Sequence, residues 1–332
     1  MNVQDRAPKI PTAADVADAA RVLKGVAVRT PLLSNETLDK RLGARVFLKP
    51  EVLQRTGSFK FRGAYNRISR IPEAEKKNGV VAFSSGNHAQ GVACAAKLFG
   101  IPAVIVMPAD APKAKIERTK GHGAEVVLYD REKEDREAIG QRIANERGST
   151  LVRPFDDPYV IAGQGTIGLE IGEDLAARNL APDFVLMPAS GGGLAAGIAL
   201  AIKDRFPKSR ILTVEPAGFD EHAHSFKSGK RETNAKATGS ICDALLAPWP
   251  GELTFQITSK LIGEGTAATD AEVKEAMRFA FNELKLVVEP GGSVALAALM
   301  AGRIDVRGKT VAAVLSGGNV DERLFAEILS GA

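Results

Sequence analysis

The sequence predicts an α/β protein with two parallel sheets, each covered by helices on both faces in a three-layer αβα arrangement. Apolar runs and helical patterns alternate along most of the 332 residues. The apolar runs are continuous, as in parallel strands that are buried on both faces. Glycine is frequent, with 33 residues, and aromatic side chains make up only 5%. This mix suits a fold with many tight turns between strands and helices.

The chain before residue 80 predicts three helices and one strand. Residues 12–23 place apolar side chains on one helical face behind a Thr-x-x-Asp capping signal. A short helix is expected at 35–42, and the apolar run 46–49 predicts a strand. Another helix, 61–69, follows the loop after this strand.

A first regular alternation runs from residue 80 to residue 152. Apolar runs predict four strands, at 80–84, 103–107, 125–129 and 151–152. Helical patterns fall between them, at 87–99, at 113–120 and in a charged segment that ends at 146. A long helix is predicted next, at 159–176.

A second alternation fills the remainder of the chain. Strands are predicted at 184–188, 210–214, 286–288 and 311–315. Helices are predicted at 194–205, 270–284, 293–300 and 322–329. The stretch 219–250 is rich in charge and glycine and lacks periodicity, so we expect a long functional or covering loop there.

The two alternations predict two domains. Residues 51–155 form the small domain, and residues 1–50 join residues 156–332 in the large one. Ligands bind at the carboxyl ends of the strands in such sheets. Several polar, glycine-containing motifs lie at predicted strand ends, so we expect a functional site between the two domains.

Composition argues against several classes of protein. The net charge of +4 is small and no basic block with interleaved aromatic residues is present, so we expect no nucleic-acid partner. The two cysteines lie far apart, which fits neither a disulfide framework nor a zinc ribbon. No apolar run is long enough for a membrane span, and the polar N-terminus does not resemble a signal peptide. We therefore expect a cytoplasmic enzyme.

Lys60 lies at the mouth of the loop between strand 46–49 and helix 61–69. Its neighbours Phe59 and Phe61 are aromatic. An apolar setting lowers the pKa of a lysine and frees its amine as a nucleophile, which Schiff-base chemistry requires. Most lysines are solvated surface charges, so the case for Lys60 depends on the other motifs.

The motif Ser84-Ser85-Gly86-Asn87-His88 lies where a predicted strand meets a helix. Backbone N–H groups at a helix N-terminus favour an anion, and the serine and asparagine side chains add donors. A substrate carboxylate would suit this position. Helix capping by serine and asparagine is the plainer interpretation.

The motif Ser190-Gly191-Gly192-Gly193-Leu194 lies at a second strand-to-helix junction. Its three glycines let consecutive N–H groups converge on a phosphate without steric hindrance from a Cβ atom. The same segment also matches the G-x-G-x-x-A form of the dinucleotide fingerprint, with Glu215 at the end of the next strand. A nicotinamide-dependent oxidoreductase is therefore a competing hypothesis.

Three further patterns are less specific. Ser316-Gly317-Gly318-Asn319 places a hydroxyl at another strand end, where a plain turn is the alternative. A second G-x-G-x-x-G pattern, at 163–168, lies inside a predicted helix, and we interpret it as close helix packing.

Acidic residues cluster after strand 210–214, at Glu215, Asp220 and Glu221. Their oxygens suit a hard cation, although a solvated acidic loop also explains them. His222 and His224 lie nearby without a second ligand pair, so we do not expect zinc.

Taken in order, residues 58–64, 84–91, 190–194 and 316–319 closely resemble the fold-type II pyridoxal-phosphate enzymes. The nearest branch is the serine/threonine dehydratase (threonine ammonia-lyase) and serine racemase family. The resemblance covers nearly the whole chain. It implies a tryptophan synthase β-subunit-like fold, a large domain that binds pyridoxal 5'-phosphate, and a homodimer or homotetramer.

The resemblance also implies roles for individual residues. Lys60 would hold the cofactor as an internal aldimine, and Phe59 would pack on its pyridine ring. Asn87 would bind the 3-hydroxyl, and Ser316 would face the pyridine nitrogen. The phosphate would be held by the backbone N–H groups of Gly191, Gly192, Gly193 and Leu194. The substrate carboxylate would be bound by Ser84, Ser85, Gly86, Asn87 and His88.

A cation site is implied at the acidic cluster. Its ligands would be Glu215, the carbonyl of Phe219, and Glu221, with Asp220 as the alternative carboxylate. The ion would be divalent, such as Mg²⁺, Ca²⁺ or Mn²⁺, or monovalent.

The implied activity is that of an ammonia-lyase, or dehydratase. It would convert L-threonine, L-serine or both to 2-oxobutanoate or pyruvate and ammonia by α,β-elimination, with the Lys60 amine removing the α-proton. Ser85 lies where a hydroxyl is associated with racemases, so serine racemisation with Ser85 as the opposite-face base is an alternative. Dehydration of another 3-hydroxy amino acid is a second alternative. A non-catalytic amino-acid sensor is a third.

Overall fold

The computed structural model describes residues 9–84, 86–111, 113–236 and 238–331. Within these residues the strands form two sheets, one of six strands and one of four. The six-stranded sheet consists of β1 (Leu33–Ser34), β2 (Arg45–Pro50), β7 (Phe184–Pro188), β8 (Arg210–Pro216), β9 (Gly265–Ala268) and β10 (Thr310–Leu315). Their order in space is β1-β2-β10-β7-β8-β9, and all neighbours are parallel except β1 and β2.

The four-stranded sheet is formed by the middle of the chain. It consists of β3 (Val80–Phe83), β4 (Ala103–Pro108), β5 (Glu125–Tyr129) and β6 (Thr150–Leu151). The order is β5-β4-β3-β6, and all pairs are parallel. All four of these strands lie within residues 51–155, the predicted small domain. The boundaries of that domain stay a prediction.

Helices alternate with the strands along the described residues. They are α1 (Ala13–Leu23), α2 (Glu36–Leu42), α3 (Lys60–Ser69), α4 (Glu73–Lys76), α5 (Asn87–Phe99), α6 (Lys113–Gly121), α7 (Arg136–Arg147), α8 (Pro158–Ala176), α9 (Gly193–Arg205), α10 (Glu221–Ser228), α11 (Glu252–Leu261), α12 (Asp270–Phe279), α13 (Pro290–Met300) and α14 (Glu322–Ser330). In this part of the chain, no helix combines the length and the apolar character that crossing a membrane requires.

Both sheets carry an apolar cluster on each face. In β7, Leu186 packs into one cluster while its neighbours Val185 and Met187 pack into another. In the smaller sheet, Ala82 likewise packs into one apolar cluster and its neighbour Val81 into another. Since successive strand residues point to opposite faces, helices must cover both sides of each sheet. The predicted three-layer αβα class is therefore confirmed.

The glycines of the 163–168 pattern lie inside α8, as predicted, and they allow close packing. A Cβ atom on Gly163 would stand 2.7 Å from the Arg62 carbonyl oxygen, and one on Gly165 would stand 2.7 Å from that of Gly197. A Cβ on Gly168 would meet the Ile198 carbonyl oxygen at 2.9 Å. The pattern thus brings α8 into close backbone contact with α3 and α9, as the sequence interpretation expects.

Two predictions in the C-terminal half were wrong. The apolar run 286–288 is not a strand. The Leu286 N–H donates to the Ala280 carbonyl and the Glu289 N–H to the Gly317 carbonyl, so these groups do not pair with a neighbouring strand. The predicted loop 219–250 contains α10 and a 3₁₀ turn, Asp243–Leu245. The helix expected at 270–284 is present over that span, as α-helix to Phe279 and as a π-helical turn at Ala280–Leu284. Helix α11 and strand β9 were not predicted.

Candidate active site

A cleft of about 210 Å³ opens at the carboxyl ends of β3, β7 and β10, so residues that follow strands of both sheets line it. Most of the predicted cofactor and substrate residues contribute to its wall: Phe59, Lys60, Ser84, Gly86, Asn87, His88, Gly191, Gly192, Gly193, Leu194 and Ser316. Ser85 lies outside the described residues. The predicted position of the site, at strand ends between the two sheets, agrees with this arrangement.

The loop before Lys60 is fastened to the end of β10. Thr56 and Gly57 both have positive φ, at 62° and 69°. The Asn319 Nδ2 group donates to the Thr56 carbonyl at 2.7 Å, and the Phe59 N–H donates to the Ser316 carbonyl at 3.1 Å. Left-handed backbone is unfavourable for a threonine unless its surroundings enforce it. These bonds therefore set the point at which α3 begins, and with it the position of Lys60.

The Lys60 amine is partly buried in the cleft. Its Nζ donates to the Pro154 carbonyl at 2.8 Å and lies 5.1 Å from the centre of the Phe59 ring. Burial lowers the pKa of Lys60 to about 8, because an apolar setting disfavours the ammonium form. A much larger share of this amine is unprotonated near neutral pH than in a solvated lysine.

The three glycines after β7 form a cup. The carbonyl groups of residues 190–192 accept hydrogen bonds on the side away from the cleft. The Ser190 carbonyl accepts from His222 Nε2 at 2.7 Å, and the Gly191 carbonyl accepts from Thr254 Oγ1 at 2.6 Å. The Gly192 carbonyl accepts from the Ala196 N–H at 2.8 Å. In a trans peptide the N–H points opposite to the carbonyl. The N–H groups of residues 191–193 are therefore directed towards the cleft.

No side chain would fit at these glycines. A Cβ atom on Gly191 would collide with the Phe155 ring, and one on Gly192 would stand 2.9 Å from both His222 Cε1 and Thr254 Oγ1. Gly192 also has a φ of 91°, which favours glycine. Converging backbone N–H groups at the N-terminus of α9 form an anion site. The cup thus fits a phosphate group.

Asn87 is held at both ends of its side-chain amide. Its Nδ2 donates to Glu289 Oε1 at 2.6 Å, and its Oδ1 accepts from Asn319 Nδ2 at 2.8 Å. Glu289 was not predicted from the sequence. Burial raises the pKa of Glu289 to about 7, with Asp243 adding repulsion, while Asn87 and Lys115 offset part of this effect.

His88 faces the cleft as a neutral imidazole. Its Nε2 lies 2.9 Å from the Val152 carbonyl, and because a carbonyl only accepts, Nε2 carries the hydrogen. Burial, followed by the nearby Lys60 charge, lowers the pKa of His88 to about 3. The Ser84 hydroxyl accepts from the Gly86 N–H at 3.1 Å, which shapes the turn that would hold a carboxylate.

The acidic cluster lies beside the cleft and not in its wall. Both oxygens of the buried Glu215 accept backbone N–H groups, from His222 at 3.0 Å and Ala223 at 3.2 Å. Glu221 is also buried, and its Oε1 has no partner within the described residues. Burial raises the pKa of both carboxyl groups, that of Glu221 to about 7.

The cluster falls short of a complete metal site made by side chains. Within the described residues, no group of three or more histidine, cysteine, aspartate or glutamate side chains is arranged to hold a metal ion. The two buried carboxyl groups could still bind a cation together with a backbone carbonyl. Phe219 is buried next to them, and Asp220 is partly buried at the start of α10.

The cleft also contains charged side chains that the sequence did not single out. Lys115 on α6 lies 3.1 Å from Asp243, which follows β8 in the chain, so the pair bridges the cleft mouth. Arg136, the first residue of α7, lies over the Phe83 ring. The chain has 44 lysines and arginines, and no sequence pattern around Lys115 or Arg136 indicates a functional role. Only the folded arrangement distinguishes them from surface charges.

Comparison with known proteins identifies the family. Residues 23–317 match the family model described as "Pyridoxal-phosphate dependent enzyme". The chain belongs to this family. The match agrees with the cleft, because the Lys60 amine, whose pKa is lowered by burial, shares it with a cup suited to a phosphate.

Several relatives match almost the whole chain. An L-threo-3-hydroxyaspartate ammonia-lyase from a Pseudomonas species is 45% identical over 96% of this chain and 98% of its own. An L-threonine ammonia-lyase from Thermotoga maritima is 42% identical over 96% of this chain and 78% of its own. The structure of maize serine racemase superposes with a TM-score of 0.90 at 35% identity, covering 97% and 98% of the two chains.

The family membership and the geometry both disagree with the nicotinamide hypothesis. Glu215 would have to reach a ribose from the cleft wall. It is instead fully buried and does not contribute to the cleft wall. The fingerprint at 191–196 instead coincides with the glycine cup, whose geometry fits a phosphate.

Proposed function

We propose that the protein is a pyridoxal-phosphate-dependent ammonia-lyase that acts on L-3-hydroxy amino acids, with L-threonine and L-serine as substrates. The single observation that carries the proposal is the Lys60 amine, which shares one cleft with the glycine cup. The relatives named above include two ammonia-lyases, which supports the reaction type.

The cofactor fits residues already positioned in the cleft. Lys60 would bind it covalently through Nζ, the cup would hold its phosphate, and Asn87 and Ser316 would contact its ring substituents. Phe59 would pack beside the ring. When bound, pyridoxal phosphate supplies an electron sink for negative charge at the substrate α-carbon.

The residues of the chain would then perform three tasks. The turn at Ser84, Gly86 and His88 would orient the substrate carboxylate. The Lys60 amine, with its pKa lowered by burial, would take the α-proton as a general base. Ser316 offers a hydroxyl and no negative charge, so it would not keep the pyridine nitrogen protonated, which favours elimination over transamination.

Substitution of Lys60 tests the proposal. The wild-type enzyme should release 2-oxobutanoate from L-threonine, and borohydride should attach the cofactor to Lys60 in a peptide map. Lys60→Ala should lose at least about a thousandfold in kcat/KM, since it removes both the covalent anchor and the base. The matched control is Lys97→Ala, because Lys97 is exposed on α5. Borohydride labelling of another lysine in the wild type would reject the assignment.

A second substrate, L-threo-3-hydroxyaspartate, is favoured by the cations at the cleft. This compound is a 3-hydroxy amino acid with a second carboxylate. Arg136 and Lys115 both line the cleft, and in the described part of the chain Arg136 has no carboxylate partner. Charge-assisted bonds to a guanidinium are among the stronger ones in proteins.

Arg136→Met tests this second candidate. We expect KM for L-threo-3-hydroxyaspartate to rise by about tenfold, while KM for L-threonine changes by less than about twofold. Arg142→Met is the control, because Arg142 lies exposed on the same helix and pairs with Glu146. If Arg136→Met affects both substrates equally, the second carboxylate does not bind there.

Serine racemisation stays an alternative prediction that depends on Ser85. Assays of L-serine that follow pyruvate and D-serine together would separate the two activities. Ser85→Ala should abolish racemisation and leave elimination largely intact.

We further propose the finer features that the family resemblance implies. The protein would be a cytoplasmic homodimer or homotetramer, with residues 51–155 as its small domain. A cation would bind Glu215, Glu221 and the Phe219 carbonyl, with Asp220 as the alternative carboxylate. The raised pKa values of the two glutamates fit this site, because burial and neighbouring carboxyl groups disfavour their charged forms and a bound cation would offset both effects. Chelation should therefore lower Tm, and Mg²⁺ or Ca²⁺ should restore it.

A further inference from the structure

The phosphate cup is made of glycines and therefore needs external restraint. Glycine populates positive and negative φ about equally and has no side chain to pack. A rotation of the Ser190–Gly191 peptide would turn the Gly191 N–H away from the cleft. The orientation of each N–H group thus depends on what binds the carbonyl of the same peptide.

His222 supplies this restraint at the first peptide of the cup. Its Nε2 lies 2.7 Å from the Ser190 carbonyl oxygen. Because the carbonyl has no hydrogen, Nε2 must carry one, and the bond holds whether the ring is neutral or charged. The carbonyl is therefore fixed on the far side of the cup, and the Gly191 N–H is fixed towards the cleft.

His222 is itself held rigidly. Its backbone N–H donates to Glu215 Oε1 at 3.0 Å, and its ring lies 5.6 Å from the Phe226 ring. The imidazole also packs directly beneath Gly192, where a Cβ atom would stand 2.9 Å from Cε1. The ring thus acts as a fixed spacer between the end of β8 and the cup after β7.

We propose that His222 is a positioning residue that orients the cup for the cofactor phosphate, through the hydrogen bond from Nε2 to the Ser190 carbonyl. It does not contact the phosphate or the reacting atoms. The inference rests on the proposed function, since it takes the phosphate of pyridoxal phosphate as the occupant of the cup. It adds a residue that the sequence motif Ser190–Leu194 does not contain.

Binding of cofactor by the apoenzyme tests the inference without reference to turnover. We would measure Kd for pyridoxal 5'-phosphate and for pyridoxal, which lacks the phosphate, by the absorbance of the bound form. In His222→Leu we expect pyridoxal phosphate to bind at least about tenfold more weakly, while pyridoxal changes by less than about twofold. A general loss of packing would weaken both ligands alike.

Two amide substitutions separate the hydrogen bond from the ring. A glutamine amide reaches about as far as Nε2 of histidine, whereas an asparagine amide reaches only as far as Nδ1. His222→Gln should therefore keep pyridoxal-phosphate affinity within about threefold of wild type, and His222→Asn should lose about as much as leucine does. If the leucine variant does not fold, this pair still decides the question. The control is His224→Leu, on the same helix with an exposed side chain.

The outcomes distinguish this inference from the proposed function. If the wild type binds pyridoxal phosphate no better than pyridoxal, the cup does not hold a phosphate and the proposed function fails. If the wild type discriminates between the two and His222→Leu or His222→Asn discriminates equally well, the role of His222 is rejected. Equal weakening of both ligands would also reject it.

Discussion

Glu289 shows how one buried carboxyl group makes the stability of the protein depend on pH. Its raised pKa of about 7 means that the folded chain binds a proton more tightly than the unfolded chain does. Between pH 4.5 and 7 the folded state therefore holds more protons, and stability must fall as pH rises through this window. Above pH 7 the carboxyl group is ionised in both states, so its contribution no longer changes.

Glu289→Gln should remove this dependence. We expect wild type to lose up to about 3 kcal/mol of unfolding free energy relative to the variant between pH 4.5 and 7. Urea unfolding at several pH values measures the difference. Glu283→Gln is the control, because Glu283 is an exposed residue of the preceding π-helical turn. Parallel pH curves for wild type and Glu289→Gln would contradict the expectation.

At the scale of elements, Arg62 joins three parts of the structure. It is buried on α3, two residues after Lys60, and binds Glu51 at 2.8 Å and Glu170 at 2.7 Å. Glu51 follows β2, and Glu170 belongs to α8. Lys49 also pairs with Glu170 at 2.6 Å, so the buried cluster has two charges of each sign. The network fixes α3, and with it the Lys60 amine, between β2 and α8.

Arg62→Met should break this network. Removing Arg62 leaves the buried Glu51 without its ion-pair partner, while Lys49 still pairs with Glu170, and breaking such a buried pair costs about 3–5 kcal/mol of unfolding free energy. Arg67→Met on the same helix is the control, since Arg67 forms a less deeply buried single pair with Asp157 that should stabilise the fold less than the fully buried cluster. Chemical denaturation measures both. A loss at Arg62 no larger than that at Arg67 would show that the cluster does not stabilise the fold.

The helices and strands differ in how much of them the sequence could predict. Helix α5 and strands β5 and β7 have the expected bounds, because periodicity or a continuous apolar run specified them locally. Helix α10 was missed because its first N–H groups are bound by Glu215 from β8, a contact with no local pattern. The run 286–288 looks like a strand, but no neighbouring strand pairs with it.

For the site, sequence reasoning found backbone motifs and missed isolated side chains. The glycine cup and the Lys60 loop repeat recognisable spacings, and the structure brings them into one cleft. Glu289, Arg136 and Asp243 do not belong to a recognisable sequence motif. They become functional candidates only through their contacts with residues that are distant in the sequence. Their positions depend on packing between the sheets, which a single sequence does not display.

At the scale of the whole molecule, the pair Lys115–Asp243 bridges the two sides of the cleft mouth. Asp243 neutralises Lys115 there, so it should oppose binding of a substrate with a second carboxylate. Asp243→Asn should lower KM for L-threo-3-hydroxyaspartate by up to about fivefold, because a half-exposed pair is worth at most about 1 kcal/mol. KM for L-threonine should change by less than about twofold. Steady-state kinetics with both substrates measures this.

The control for this substitution is Asp305→Asn, which removes a fully exposed pair with Arg307 away from the cleft. It should alter neither constant. An identical shift for the two substrates in Asp243→Asn would mean that the pair controls opening of the cleft and does not select substrate charge.

The pairing of β2 with β10 has a consequence for synthesis on the ribosome. β2 is translated before the other parallel strands of its sheet, but the neighbour on its parallel side, Thr310–Leu315, is translated after every other described strand. The four-stranded sheet can close as soon as β6 emerges, whereas the larger sheet must wait with an open edge. Until β10 emerges, the nascent large domain therefore exposes an unpaired strand edge and apolar side chains, which is the stage at which chaperone protection matters most.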